Sequence, residues 1–380
     1  MSSEIKYWLG LGQVKGVGNV TYKTLIDEFH DPETVFEAPL KRLEEIPGIG
    51  KKTAANIKSF KEWDWVEKEI GLIEKQDVVF LTLRHSDFPK ALLSIPDPPP
   101  YLYVKGTFCK KDENAIAVVG TRIPTQYGVS AAEGISRELA VSGITIVSGM
   151  ARGVDTAAHR GALAADGRTI AVLGSGIDVI YPPDNKKLYE QIISNGAVVS
   201  EFPIGTAPLA ENFPQRNRII SGLVKGVLVV EASEKSGSLI TAGLALDYGR
   251  DVFALPGNIT SFKSKGANKL IKQGAKLVED ARDILEELSI SGTGMTGAGL
   301  KPVPAVPDSL RKIQADLSSE EEKIMSLLDE PSFIDTIIQR SGLPAQKISA
   351  LLLNMELKGL VQQQAGKQFI RRGGGNRLSS

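Results

Sequence analysis

Four arginines and a set of glycine- and serine-rich turns carry most of the chemistry this chain offers. In order they are Gly120-Thr121-Arg122, Ser148-Gly149-Met150-Ala151-Arg152-Gly153, Gly174-Ser175-Gly176, Phe213-Pro214-Gln215-Arg216-Asn217-Arg218, Ser236-Gly237-Ser238, and Pro256-Gly257-Asn258 followed by Lys263-Ser264-Lys265. Glycine lets backbone N–H groups come close to an anion, and small hydroxyls add donors. Guanidinium groups present a forked, permanent charge that matches phosphate oxygens. Each piece alone has a plainer reading. A glycine after a strand can be turn chemistry, Asp155 and Ser238 can be helix caps, and Arg216 and Arg218 can be ion-pair partners. The carboxylates Asp155, Asp178, Glu201 and Glu231 either orient the arginines or act as acid–base groups. Brought to one place, the loops predict a groove for more than one phosphate.

The elements between the loops bring them there. Ala115–Val119, Thr145–Val147, Thr169–Leu173, Ala197–Val199, Val227–Val230 and Asp251–Ala254 are short β-branched runs, apolar on consecutive residues. That pattern predicts strands covered on both faces. Helical patterns such as Tyr127–Ser142 and Ser238–Tyr248 lie between most of them. Alternating strands and helices give an α/β fold with a parallel, doubly wound sheet, which binds ligands at the C-terminal strand ends. All six loops follow strands, so all six fall on that edge.

Composition narrows the function. The chain has 380 residues, enough for two or three domains. Its 45 basic residues balance 45 acidic ones, which argues against coating nucleic acid by bulk charge. Between Lys110 and Arg282 there are 20 basic and 17 acidic residues, so binding must rely on a placed patch. A single cysteine, Cys109, and three scattered histidines argue against a disulfide or a zinc cluster. No apolar run reaches membrane-spanning length, and Met1-Ser2-Ser3-Glu4 does not open a secretory signal, so a cytoplasmic protein is expected. Gly48-Ile49-Gly50-Lys51-Lys52-Thr53 has the wrong spacing for a P-loop and no strand before it, and no G-x-S-x-G elbow occurs. A non-enzymatic protein without a cofactor is expected.

Two smaller modules flank the sheet, read as residues 75–288. In residues 1–70, Val14-Lys15-Gly16-Val17-Gly18 and Ile46-Pro47-Gly48-Ile49-Gly50 each precede a helical stretch. They resemble helix–hairpin–helix motifs, whose backbone N–H groups meet a DNA phosphate. With 10 basic and 12 acidic residues in the block, a purely structural hairpin pair stays open. Residues 289–316, rich in Gly, Ser, Thr and Pro, read as a flexible linker. Residues 317–372 read as three helices and a hairpin turning at Gly366, the pattern of a winged helix. Its third helix would expose Lys347, Asn354 and Lys358 toward DNA or a protein partner.

Seven stretches occur in this order: Asp87–Gly106, the AVVGTR run ending at Arg122, Ser148–Leu163, Ile170–Asn185, Ser200–Thr206, Phe213–Leu223 and Ser236–Ile259. Taken together they resemble the DprA/Smf family. The resemblance implies an extended Rossmann-like core in a protein that binds single-stranded DNA, forms homodimers and loads the RecA recombinase onto DNA entering during natural transformation. It implies that Arg122 meets the strand backbone and that the Ser148-Gly149-Met150-Ala151-Arg152-Gly153 loop and Arg216-Asn217-Arg218 line the same groove. Phe213 would stack on a base or anchor its own helix. Where the family often carries a lysine, this chain has Ala210 and Pro183, so Lys186, Lys263 or Lys265 would complete the charge. The rival is a Rossmann-like nucleotide N-glycosidase. Its P-G-G-x-G-T-x-x-E signature has no counterpart at Ser236-Gly237-Ser238-Leu239-Ile240-Thr241-Ala242. A protein scaffold without DNA affinity would leave the arginines unexplained.

Overall fold

The computed structural model describes residues 2–290, 319–328, 331–357, 360–364 and 368–371. The expected linker lies almost wholly outside them, as do Lys358 and Gly366. The chain forms two compact units, Met1–Gly294 and Met295–Ser380.

The first unit is built on a nine-stranded sheet: β1 (Val79–Thr82), β2 (Tyr101–Gly106), β3 (Ala115–Val119), β4 (Thr145–Ser148), β5 (Thr169–Val172), β6 (Gly196–Ser200), β7 (Gly226–Val229), β8 (Asp251–Ala254) and β9 (Lys276–Leu277). Their spatial order is β1-β2-β6-β5-β4-β3-β7-β8-β9. The strands from β3 to β9 pair in parallel, and the apolar runs predict this for β3 to β8. The sequence reading did not include β1, β2 and β9. The first two pair antiparallel at one edge and extend the sheet through β6.

Both faces of β3 to β7 are covered, which is why those strands are buried along their whole length. In β3, Ala115, Ala117 and Val119 face one layer, and Ile116 and Val118 the other. Each fully buried Ile or Val side chain contributes roughly 1.5–3 kcal/mol to folding. Six short helices open the chain: α1 (Ser2–Gln13), α2 (Asn19–Phe29), α3 (Pro32–Glu37), α4 (Leu40–Glu44), α5 (Lys51–Lys58) and α6 (Trp63–Lys75). Then follow α7 (Lys90–Leu93), α8 (Gln126–Val141), α9 (Val154–Leu163), α10 (Lys186–Asn195), α11 (Asn212–Leu223), α12 (Gly237–Asp247), α13 (Lys265–Lys272) and α14 (Ala281–Ile290). Helices α7, α11, α12 and α13 pack on one face through Leu92, Ile219, Ile220, Ala242, Ala245 and Ala267. Helices α8, α9 and α14 cover the other face through Ile135, Leu139, Ala158 and Ile284. Beside them, α10 and the N-terminal helices share one apolar cluster with Phe80, Tyr101 and Tyr103 of β1 and β2. The compositional shift near residue 70 therefore falls inside α6. Its buried Glu69 accepts a hydrogen bond from the Ile204 N–H, in the loop after β6, at 2.8 Å.

From β3 the chain adds β4, β5 and β6 on one side, then returns to add β7, β8 and β9 on the other. Open α/β sheets bind ligands at such a reversal, beyond the C-terminal strand ends.

The second unit has helices Ser319–Met325, Ile334–Ser341 and Ala345–Leu357. A three-stranded sheet completes it, with β10 (Ser332–Phe333), β11 (Val361–Gln364) and β12 (Gln368–Arg371) in the order β10-β12-β11. Ile324, Ile337, Ile348, Leu352, Met355 and Phe369 form its core. This is the winged helix that the sequence predicts.

Candidate nucleic-acid interface

The loops after β3 and β4 are folded into each other. The Thr121 N–H donates to the backbone oxygen of Glu231 at 2.7 Å, and the Val154 N–H donates to the Thr121 oxygen at 3.2 Å. Gly153, with φ 83°, makes the turn into α9, and a Cβ there would lie 2.4 Å from the Thr121 oxygen. Only glycine tolerates both that backbone region and that contact. Thr125 caps α8: its hydroxyl accepts from the Gly128 N–H at 3.1 Å and donates to the Glu231 carboxylate at 2.5 Å. The Thr125 N–H donates to the same carboxylate at 2.8 Å. The buried Glu231 thus holds the turn that carries Arg122.

Arg122 itself is exposed, and its guanidinium lies 4.9 Å from the centre of the Phe213 ring. Half-buried Phe213 opens α11 and packs against Gly174, where a Cβ would approach the ring to 3.0 Å. The Arg216 guanidinium stands 5.8 Å from the same ring. Tyr181, 44% exposed, lies 6.2 Å away. The sequence reading missed Tyr181 as a site residue, because a Tyr-Pro pair in a loop gives no sign of where its ring lies.

The four arginines divide in two. Arg122 and Arg152 are exposed, while Arg216 and Arg218 are only 4% and 5% exposed. Arg216 lies beneath the groove and donates to the backbone oxygens of Gly149 and Val172, tying the ends of β4 and β5 together. Burial pushes its pKa down to about 10, against the attraction of Asp155, so it stays charged at neutral pH. Arg218 pairs with the carboxylates of Glu201 and Asp97 and donates to the Asp97 backbone oxygen at 2.8 Å. Its fork is spent inside the fold, so the expected contact with a phosphate gives way to a positioning role. Arg152 pairs in the open with Asp184 at 2.7 Å.

The remaining candidates divide in the same way. Ser148 is buried, and its hydroxyl donates to the Val118 oxygen at 2.7 Å, so it belongs to the sheet. Gly149 and Gly174 form buried floor. Ser236 caps α12, with its oxygen 2.8 Å from that of the buried Ser238. Gly120, Thr121, Asn217, Gly237 and Lys265 remain at least partly open, and Lys263 is half-buried. Lys186 is exposed at the start of α10, and Ala210 and Pro183 are exposed as well.

The carboxylates are all engaged. Burial raises the Asp155 pKa, opposed by Arg216 and by the Ala151 N–H, which donates at 3.2 Å. Burial likewise raises that of Glu201, opposed by Arg218. Asp178 accepts the Gly205 N–H at 2.8 Å. His159 is fully buried, and its Nδ1 lies 2.7 Å from the Thr169 hydroxyl. That hydroxyl donates to the Ile146 oxygen at 2.7 Å, so Nδ1 carries the proton and donates to Thr169. Burial lowers the His159 pKa to about 3. These contacts support the orienting role for Asp155, Glu201 and Glu231, while Asp178 braces the loop after β6.

In the N-terminal block the two predicted hairpins have matching geometry. Val17 donates to Val14 and Ile49 to Ile46, each at 3.0 Å, with Gly16 and Gly48 at positive φ. Gly18 and Gly50 then open α2 and α5 without a side-chain cap. In the winged helix Lys347 is paired with Glu320, which reduces its open charge, and the Asn354 side chain lies outside the described residues.

A Rossmann-like sheet whose ligand edge is lined with glycine and arginine, joined to helix–hairpin–helix and winged-helix modules, defines a DNA-processing class of protein. Residues 79–289 match the family described as DNA recombination-mediator protein A, residues 309–367 the DprA winged helix domain, and residues 9–60 the SAM-like helix-hairpin-helix tandem. Protein Smf of Synechocystis is 37% identical over 400 residues, spanning 98% of this chain and all 100% of that protein. DNA processing protein DprA of Streptococcus pneumoniae is 46% identical over 200 residues, 53% of this chain and 71% of that protein. Its X-ray structure matches with a TM-score of 0.65 at 35% identity, covering 76% of this chain and 98% of the other. DNA processing protein A of Helicobacter pylori, whose structure addresses its single-stranded DNA binding mode, matches with a TM-score of 0.50 at 34% identity, covering 56% and 96%. The chain belongs to the DprA/Smf family of DNA-processing proteins. Among the described residues no helix is long and apolar enough to cross a membrane.

Proposed function

We propose that the groove above β3, β4 and β5 binds single-stranded DNA with little sequence preference, and that the protein dimerises and passes the strand to the RecA recombinase. The observation that carries this reading is the exposed Arg122 guanidinium held 4.9 Å over the Phe213 ring. One group neutralises a phosphate and the other offers a face to a base. Stacking suits any sequence, because every base has a π-face. The structure of the Helicobacter pylori relative, concerned with single-stranded DNA binding, supports the same ligand class. Arg152, Lys186, Lys263 and Lys265 supply further charge along the edge.

Anisotropy of labelled oligo-dT, against duplex of equal length across a salt series, tests the proposal. Single-strand binding should be the tighter, with a log–log salt slope of about −0.7 per neutralised phosphate. Arg122→Ala should weaken it about tenfold or more and make the slope shallower by about 0.7, with thermal stability intact. Unchanged affinity in this variant would falsify the site. A RecA filament assay on strand precoated with single-strand-binding protein then tests the hand-over. Release of free base from nucleoside monophosphates would favour the N-glycosidase instead.

A further inference from the structure

The segment after β8 combines positive charge with exposed apolar side chains. From Val252 to Val278 the sequence holds five lysines and no carboxylate. Three of them, Lys265, Lys269 and Lys272, are exposed at i, i+4 and i+7 along α13 and so share one face. The loop before α13 is pinned at its base. Asn268 accepts the Gly257 N–H at 3.1 Å and donates to the Gly257 oxygen at 2.9 Å. Asn258 braces the tip by accepting the Thr260 N–H and hydroxyl at 2.9 and 2.8 Å. On this ordered scaffold Ile259 is 85% exposed and Phe262 64% exposed.

Two more exposed side chains lie around the start of α8. Ile123 is 74% exposed and Tyr127 53% exposed, directly after the turn that holds Arg122. The Tyr127 hydroxyl donates to the Pro256 oxygen at 3.0 Å, which joins the start of α8 to the loop after β8. Scattered exposed apolar residues are ordinary, but Ile259 and Phe262 stand on one braced loop that Tyr127 ties to α8. The lysines alongside select a polyanion with apolar faces.

We propose that Phe262 and Ile259, with Lys263 and Lys265, form a second stacking station that carries single-stranded nucleic acid outward from Arg122 across the ends of β7 and β8. The proposal rests on the groove reading above, and it assigns the direction in which a longer strand leaves that groove. Bases would lie against Phe262 and Ile259 while the two lysines meet the flanking phosphates.

The test uses the full chain and labelled oligo-dT of graded length, from roughly 5 to 30 nucleotides, a range that brackets known single-strand site sizes. The double variant Phe262→Ala with Ile259→Ala should bind the short oligonucleotides normally and the long ones about five- to tenfold more weakly. Separately, Phe262→Trp should be quenched by long oligonucleotides and not by short ones. The native tryptophans, Trp8, Trp63 and Trp65, all lie in the N-terminal helices and give a separate background. Equal loss at every length, or at none, overturns the proposal. So does a changed sedimentation coefficient in the double variant, which would assign the patch to a second copy of the chain. If Arg122→Ala is silent while the length-dependent quench persists, the groove reading fails and the second station stands.

Discussion

Arg122 and Arg216 face the same aromatic ring, from 4.9 and 5.8 Å, and sit in opposite surroundings. Arg122 stands in solvent on a turn held by Glu231, free to exchange water for a phosphate. Arg216 is buried beneath the loops, with backbone oxygens as its partners. The contrast extends to the whole edge. A floor of Ser148, Gly149, Gly174, Arg216 and Arg218 is tied into the loops, and a rim of Arg122, Arg152, Phe213, Lys263 and Lys265 is what the proposed groove would offer a strand. Residue type therefore does not decide function here. Whether a side chain's donors are already spent does.

The sharpest way to break this distinction is to remove an arginine from the floor. Arg218→Ala would leave Glu201 buried without its cation, next to Asp97. Removing one partner of a buried pair costs about 3–5 kcal/mol, because the remaining charge keeps its desolvation penalty. Urea denaturation should show that loss, whereas Arg122→Ala should leave the midpoint unchanged. A variant at Arg218 that folds with native stability but binds no strand would place Arg218 on the rim.

A pH titration probes the floor from another direction. His159 is held neutral, with its pKa lowered to about 3 from an ordinary value near 6.5. Between those values the unfolded chain binds the proton and the folded chain does not, so this group costs stability as pH falls through 6.5 toward 3. Going from pH 7.5 to 5.5, the native protein should lose about 1.4 kcal/mol more than His159→Asn. Parallel slopes for the two proteins would mean that His159 is protonated in the fold.

The same distinction explains what was legible in the sequence. Continuous apolar runs marked β3 to β8 and their parallel order, because a strand buried on both faces cannot disguise its composition. β1 and β2 flank a proline-rich segment, and β9 is two residues long, so none of them stood out as a strand. Glycine, serine and arginine located the edge of the sheet that holds the candidate site. They did not separate Arg122 from Arg218, because exposure depends on which carboxylates other elements bring near. Glu201 follows β6 and Asp97 precedes β2, and only the folded sheet puts both beside α11. Phe262 is illegible for the same reason, since an aromatic between two polar residues reads equally as core or rim.

The smallest expected effect bears most directly on the rim. Arg152 and Asp184 pair at 2.7 Å with side chains 66% and 72% exposed. An exposed pair of this kind adds little stability, so its loss should not move the unfolding midpoint. It does place a carboxylate where a phosphate would approach Arg152. Asp184→Asn removes that competitor and frees the guanidinium, which should tighten oligo-dT binding by about two- to fivefold at low salt. The gain should fade toward ~1 M salt, where the screening length falls to about 3 Å. A loss of affinity in Asp184→Asn would mean that the carboxylate aims Arg152 as Glu231 aims the Arg122 turn. Positioning would then extend onto the rim, and exposure alone would no longer separate the residues that meet DNA from those that hold them.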